Sequence, residues 1–269
     1  MKKLLLAAAI VFNILNTARS QELYVFSEPA SNMPSKTIGV KLTAIYPNAG
    51  SFTQRYKPEL MVGINKNWMV HLSSTLSNYY TNNTRFESGK VYAKYRFYSD
   101  DDVHKHFRMA AFADVALTRN PYLYDEINLD GDNDGAQIGL IATKLVNKLA
   151  VSGTVSYTRF FPARKDHQQM ENPSLNGSYY SLSAGYLVLP KEYVSYSQPN
   201  LNLYVELLGN QSLDKRHYAV DLAPAAQLIL NSNTKINFGY RFQVVGNMSR
   251  MAESSWLIGL EHTIFNVWK

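Results

Sequence analysis

Three groups of residues have types and spacings that could do chemistry. The first is a set of charges falling at every second position of otherwise apolar runs. Its basic members are Lys41, Arg55, Lys57, Lys90, Lys94, Arg96, Arg108 and Arg241, and its acidic members are Glu59, Asp114, Glu206, Asp221 and Glu261. Charges on one face of a confined interior can sort small solutes by sign. They can equally pair with one another and fill the space, because an unpaired buried charge is costly. The second group is Asp130-Gly131-Asp132-Asn133-Asp134-Gly135. Carboxylates at alternate positions with glycine at the sixth open a calcium-binding loop. The twelfth position should be a bidentate Glu and is Ile141, so this is no EF-hand. A solvated acidic turn is the expectation; loop-bound Ca2+ on Asp130, Asp132 and Asp134 is the alternative. The third group is His71-Leu72-Ser73, with Asn82 and Asn83 nearby. A histidine can activate a serine by accepting its proton when a third group orients the ring. The other histidines show no ligand spacing beyond His104-x-His106.

These groups need elements to position them, and the stretch 88–119 shows what the elements are. Residues 90–99 read K-V-Y-A-K-Y-R-F-Y-S and residues 106–118 read H-F-R-M-A-A-F-A-D-V-A-L-T. Between them lies an acidic corner, Asp100-Asp101-Asp102. Val91, Ala93, Tyr95 and Phe97 share one parity; Lys90, Lys94 and Arg96 share the other. Successive strand side chains point to opposite faces, so each run has an apolar face and a charged one. Strands of soluble sheets usually have about five or six residues, and these runs are about twice that. A tilted strand of roughly nine to eleven residues crosses a bilayer. On this reading Trp68, Val70 and Leu72 face lipid, and His71 and Ser73 point inward.

The start of the chain agrees. Met1-Lys2-Lys3 is followed by an apolar segment too short to span as a helix, then by Ala18-Arg19-Ser20. That is the pattern of a secretory signal peptide over residues 1–20. Lys2, Lys3 and Arg19 leave with it, which halves the formal charge of +6. No block of Lys and Arg of the kind that grips phosphates appears, which argues against nucleic acid as a partner. There is no cysteine, hence no disulfide, thiolate metal site or acylated anchor. No later apolar run reaches the roughly eighteen residues of a membrane helix. Nineteen tyrosines exceed what a soluble domain needs, and Tyr and Trp favour membrane–water interfaces.

Taken in order, residues 21–35 lack a period and contain Pro29 and Pro34, which suggests a periplasmic lead-in. Alternating runs then follow at 36–46, 52–65, 68–79, 90–99, 106–118, 136–146, 149–160, 179–189, 201–208, 217–230, 235–245 and 255–265. Connections alternate between loops and tight turns, with 190–199 as the exception. Open edges and unpaired backbone groups are not tolerated in lipid, so the sheet must close. The expected fold is all-β: a closed antiparallel up-and-down transmembrane β-barrel of about twelve strands over residues 36–269.

On these residues the chain resembles the Gram-negative outer-membrane β-barrel superfamily, in particular its roughly twelve-stranded porin-like and transporter-like members. The signal peptide, the alternating runs and the final segment Trp256-Leu-Ile-Gly-Leu-Glu-His-Thr-Ile-Phe265 carry the resemblance. It implies outer-membrane lipid as surroundings and an encounter with the barrel assembly machinery, which reads a terminal aromatic. Here the chain runs on through Val267, Trp268 and Lys269, so that signal is displaced. Some such barrels are phospholipases with a lipid-facing His-x-Ser pair; here the pair faces inward and the matching Asn is absent. The function implied is a non-enzymatic passive pore or transporter for an unknown small-molecule solute, through a charged, narrow lumen and without a resident cofactor. The alternative is a structural or adhesive barrel, its lumen plugged, whose loops 119–135 and 161–177 bind a partner. Diameter grows with strand number, and twelve falls between filled eight-stranded and open sixteen-stranded barrels.

Overall fold

The computed structural model describes residues 24–49, 52–103, 105–161, 174–191, 195, 197–214 and 216–268. The expected signal peptide, His104 and most of the 161–177 loop lie outside the described residues. Twelve strands account for most of the chain: β1 Thr37–Pro47, β2 Arg55–Gly63, β3 Trp68–Ser77, β4 Arg85–Asp102, β5 Lys105–Thr118, β6 Gly135–Val146, β7 Leu149–Phe160, β8 Asn176–Leu189, β9 Asn200–Ser212, β10 Tyr218–Leu230, β11 Thr234–Gly246 and β12 Ser254–Ile264. Each pairs antiparallel with its sequence neighbours, and β1 closes on β12. The expected all-β closed barrel is what the chain forms.

Alternation decides which way each side chain points. Along β7, Leu149, Val151, Val155 and Tyr157 face outward and are exposed, while Ala150, Ser152, Ser156 and Thr158 are buried. The same rhythm exposes Val40 and Leu42 on β1, Ile138 and Leu140 on β6, and Leu203, Val205 and Leu207 on β9. A continuous apolar outer surface with a polar interior is what hydrocarbon requires of a closed sheet. Aromatic pairs mark its two rims. Ring centroids of Trp68 and Tyr95 are 4.8 Å apart near the end where β1 begins and β12 ends, and those of Tyr240 and Trp256 are 4.3 Å apart near the other.

Between β6 and β7 only Asn147 and Lys148 intervene. Asn147 has φ 56°, a left-handed conformation that asparagine tolerates and a two-residue hairpin turn demands. The other connections at this end are short except 190–199; those at the opposite end include the long loops 119–134 and 161–175. Two expectations are corrected. The ladder of β4 and β5 runs through the acidic corner, with Asp100 opposite Phe107 and Asp101 opposite His106. Backbone pairing there is indifferent to exposed carboxylates. A bulge at Phe97 also breaks the parity, so Phe97 and Tyr98 are both exposed.

The larger departure concerns the segment before β1. Residues 24–34 are no periplasmic lead-in; they rise inside the barrel as a strap across the lumen. Tyr24 and Val25 pack with Leu145, Tyr204 and Leu257, which come from well-separated strands of the wall.

Candidate functional site

The lumen is built inward from both ends. At the long-loop end the β5–β6 loop folds in rather than out, because its acidic residues find cations on the wall. Arg55 grips Asp132 with both terminal nitrogens, Nη1 at 2.9 Å and Nη2 at 2.6 Å, and Tyr80 donates its hydroxyl to the same carboxylate at 2.8 Å. Lys57 reaches Asp130 at 3.0 Å, and Lys90 pairs with Asp130 from the next side. Asp134 accepts the backbone N–H of Thr118. Beneath the loop, Ile127 and Leu129 pack with Phe160, Ala219 and Met248. Ile127 sits where Gly177 has no side chain; a Cβ there would lie 2.2 Å from its Cδ1.

A second ionic knot ties this loop to the one preceding β12. Arg250 makes a two-pronged bond to Asp221, 2.6 and 2.8 Å, and reaches Glu126 at 2.8 Å. Arg241 adds contacts to both carboxylates at 3.4 and 3.5 Å. Burial alone would push the Glu126 carboxyl up; Arg241 and Arg250 outweigh it and hold it below the usual range. The same contest, burial against Lys57 and Lys90, leaves Asp130 far below the ordinary carboxylate value.

From the other end comes the strap. Glu206 accepts the backbone N–H groups of Val25 at 3.0 Å, Phe26 at 2.9 Å and Ser27 at 2.9 Å, and the Ser27 hydroxyl at 2.6 Å. Lys94 mirrors it, donating to the carbonyls of Pro29 at 2.7 Å and Ser31 at 2.9 Å and meeting Glu28 at 3.3 Å. Thr143 takes the N–H of Ala30 at 2.9 Å, and Arg108 reaches the Ser31 hydroxyl at 2.9 Å. Irregular backbone in a barrel must find partners on the wall; these side chains supply them. Phe26 lies against Gly239, where a Cβ would come within 2.6 Å of its ring.

Between strap and loop lies a chamber of about 350 Å3. Val25 to Glu28 border it on one side and Glu126 to Asp132 on the other. The barrel wall carries a charge ladder set by strand register, of which Lys41 and Glu59 reach the chamber: Lys235 stands opposite Glu261, Glu261 opposite Lys41, and Lys41 opposite Glu59. Lys235 pairs directly with Glu261, and Glu59 with Lys57 at 3.6 Å and with His71 Nδ1 at 3.1 Å.

The charges expected inside therefore separate by role. Lys41, Arg55, Lys57, Glu59, Lys90, Asp114, Asp221 and Arg241 line the chamber. Lys94 and Glu206 anchor the strap instead. Arg108 lies beyond it, shared between Ser31 and Asp101. Glu261 stays in the wall with Lys235, and Arg96, half-buried, is not among the chamber-lining residues. Asp130, Asp132 and Asp134 turn to different protein partners. Among the described residues no three acidic or histidine side chains gather at one point for a metal, so the calcium-loop alternative finds no ligand cluster there. His71 and Ser73 point inward as expected. Sequence reasoning missed the strap and Arg250. An aperiodic stretch with two prolines announces no contact, and an arginine in a loop does not reveal its reach.

A closed twelve-stranded sheet, apolar outside and charged within, defines a transmembrane β-barrel with the fold of outer-membrane porins and channels. Among solved structures the chain is similar to the KdgM porin, with a TM-score of 0.54 at 11% identity over 83% of this chain and 98% of the porin. That porin in complex with disordered oligogalacturonate gives 0.52 at 12%, over 84% and 98%. An outer membrane channel from Pseudomonas putida F1 gives 0.53 at 13%, over 90% of this chain and all of that one. Likeness at such identities is one of fold. No family description matches the sequence, and no curated protein does.

Proposed function

We propose that this chain is a passive outer-membrane channel for small polar solutes. The observation that carries the reading is the chamber lined by charged side chains inside a barrel whose fold is shared with channels. Fixed charges around a narrow passage select by size and by local sign. Here acids and bases alternate and mostly pair, so the wall is no simple anion filter. The KdgM complex with oligogalacturonate supports a small polar solute as the size class and leaves its sign open. No enzymatic step is proposed: His71 is held by Glu59 inside the lumen, away from lipid. Exposed Phe265, just past β12, supports recognition by the barrel assembly machinery.

The second reading is a plugged barrel that presents its outer loops to a partner. The strap favours it, being fastened along its length to the wall. Planar-bilayer recordings separate the two. Steady single-channel currents from the purified protein are the expected result. Absence of current both from the intact protein and from a variant lacking residues 24–32 would refute the channel and leave the plug.

A further inference from the structure

Almost every buried carboxylate of the lumen has its charge answered. Glu59, Glu87, Glu126, Asp130, Asp132, Asp221 and Glu261 each have a Lys or Arg nitrogen within 4 Å. Glu206 is answered by backbone N–H groups and hydroxyls. On β5, Asp114 has no such cation within that distance among the described residues. It is 5% exposed, faces the chamber, and its Oδ1 has no hydrogen-bond partner. The nearest cations, Lys90 and Lys57, act on it only from a distance, both being engaged with Asp130.

Its neighbours in the row are in the same condition. Register places His71, Tyr92 and Asp114 side by side across β3, β4 and β5. Such partners have Cβ atoms roughly 5 Å apart, and the His71 and Tyr92 rings are 5.0 Å between centroids. Tyr92 is 8% exposed and His71 5%, and the Tyr92 hydroxyl and His71 Nε2 also lack partners. Glu59 lies 3.1 Å from His71 Nδ1. In the neutral tautomer that carries its proton on Nδ1, bonded to that carboxylate, Nε2 is an unpartnered acceptor. The row thus offers a carboxylate oxygen, a phenol oxygen and an imidazole nitrogen, three acceptors beside one unanswered negative charge. An ammonium group carries one positive charge and three donors.

We propose that Asp114, Tyr92 and His71 form a binding site for the primary ammonium group of a small amine solute. This rests on the channel reading, through which the amine would reach the chamber, and deepens it by naming the substrate class. A volume of about 350 Å3 admits a molecule of a few heavy atoms and falls at the small end of ligand pockets. Leaving Asp114 unanswered destabilises the empty barrel. Retaining a costly group where it faces a cavity is the compromise that binding sites make.

The test uses the folded full-length barrel in detergent, with calorimetric titration of ethanolamine and putrescine at constant ionic strength, and acetate and glycerol as controls. Both amines should bind saturably and the controls should not. Asp114→Asn should weaken amine binding at least tenfold while raising the thermal unfolding midpoint. Tyr92→Phe should weaken binding severalfold; heat-modifiable gel mobility verifies folding in each variant. Failure of both amines to bind, or equal affinity in Asp114→Asn, would overturn the site. Currents without amine binding would leave the channel standing and remove the site, whereas amine binding without currents would do the reverse.

Discussion

Replacing Glu206 with Ala removes one carboxylate that holds three consecutive backbone N–H groups and a hydroxyl of the strap. A hydrogen bond to a charged group contributes roughly 1.5–3 kcal/mol net. Four bonds to one carboxylate are not additive, and water admitted to the lumen would recover part of the loss. The apolar packing of Tyr24 and Val25 and the Lys94 contacts remain. A net cost of about 3 kcal/mol to the seated end of the strap is therefore expected, and at about 1.4 kcal/mol per tenfold that is roughly two powers of ten in its release. The chain has no cysteine, so Val25→Cys supplies a unique, buried thiol. Maleimide labelling of that thiol should accelerate about 100-fold when Glu206→Ala is added, while Glu206→Gln, which keeps an acceptor oxygen, should fall between. Single-channel open time should lengthen in the same order. Labelling rates equal within a factor of three, in barrels whose gel mobility shows them folded, would refute the idea that Glu206 latches the strap.

Other perturbations probe the wall and the inward loop. Leu140→Arg, on the exposed belt of β6, should cost about 2–4 kcal/mol in urea unfolding from lipid vesicles if the site lies near the bilayer midplane. Arg250→Ala leaves Glu126 and Asp221 with only the longer contacts of Arg241, so the cost should stay below the roughly 3–5 kcal/mol of a fully broken buried pair; protease cleavage within the 119–134 loop should increase while β-sheet content stays constant. Glu126 and Asp130 are held below their ordinary values of 4.5 and 3.8. A depressed folded-state value means their contribution is complete above those ordinary values and is lost as pH falls through the folded ones. Loop cleavage should therefore rise below about pH 4 and stay flat near neutrality. Millimolar Ca2+ should leave the unfolding midpoint unchanged, since Arg55, Lys57 and Lys90 already answer Asp130 and Asp132; an upward shift of several degrees would contradict that pairing.

The wall was legible in the sequence because lipid imposes a rule on every second residue. Leu149, Val151 and Val155 betray their face whatever they touch. The interior obeys no such rule. Parity places Lys94 and Glu206 inside, but whether a charge lines a passage or fastens another segment depends on what is brought to it. What reaches these two is main chain, three N–H groups on one side and two carbonyls on the other, and main chain has no signature in a sequence. The same limit hid the ladder. Lys235, Glu261, Lys41 and Glu59 come from four strands and meet only through register, which hairpin turns set one pair at a time. Asp114 shows the point from the other direction. Its parity is that of Lys90 and Glu59, and nothing in its neighbourhood along the chain marks it as different. Only when the loop draws Lys57 and Lys90 onto Asp130 does Asp114 lose the cations that would have answered it. The unanswered carboxylate is a consequence of the inward loop, so releasing the loop with Arg250→Ala should weaken amine binding by returning Lys90 to Asp114. An unchanged amine affinity in that variant would mean the two lysines never competed for it.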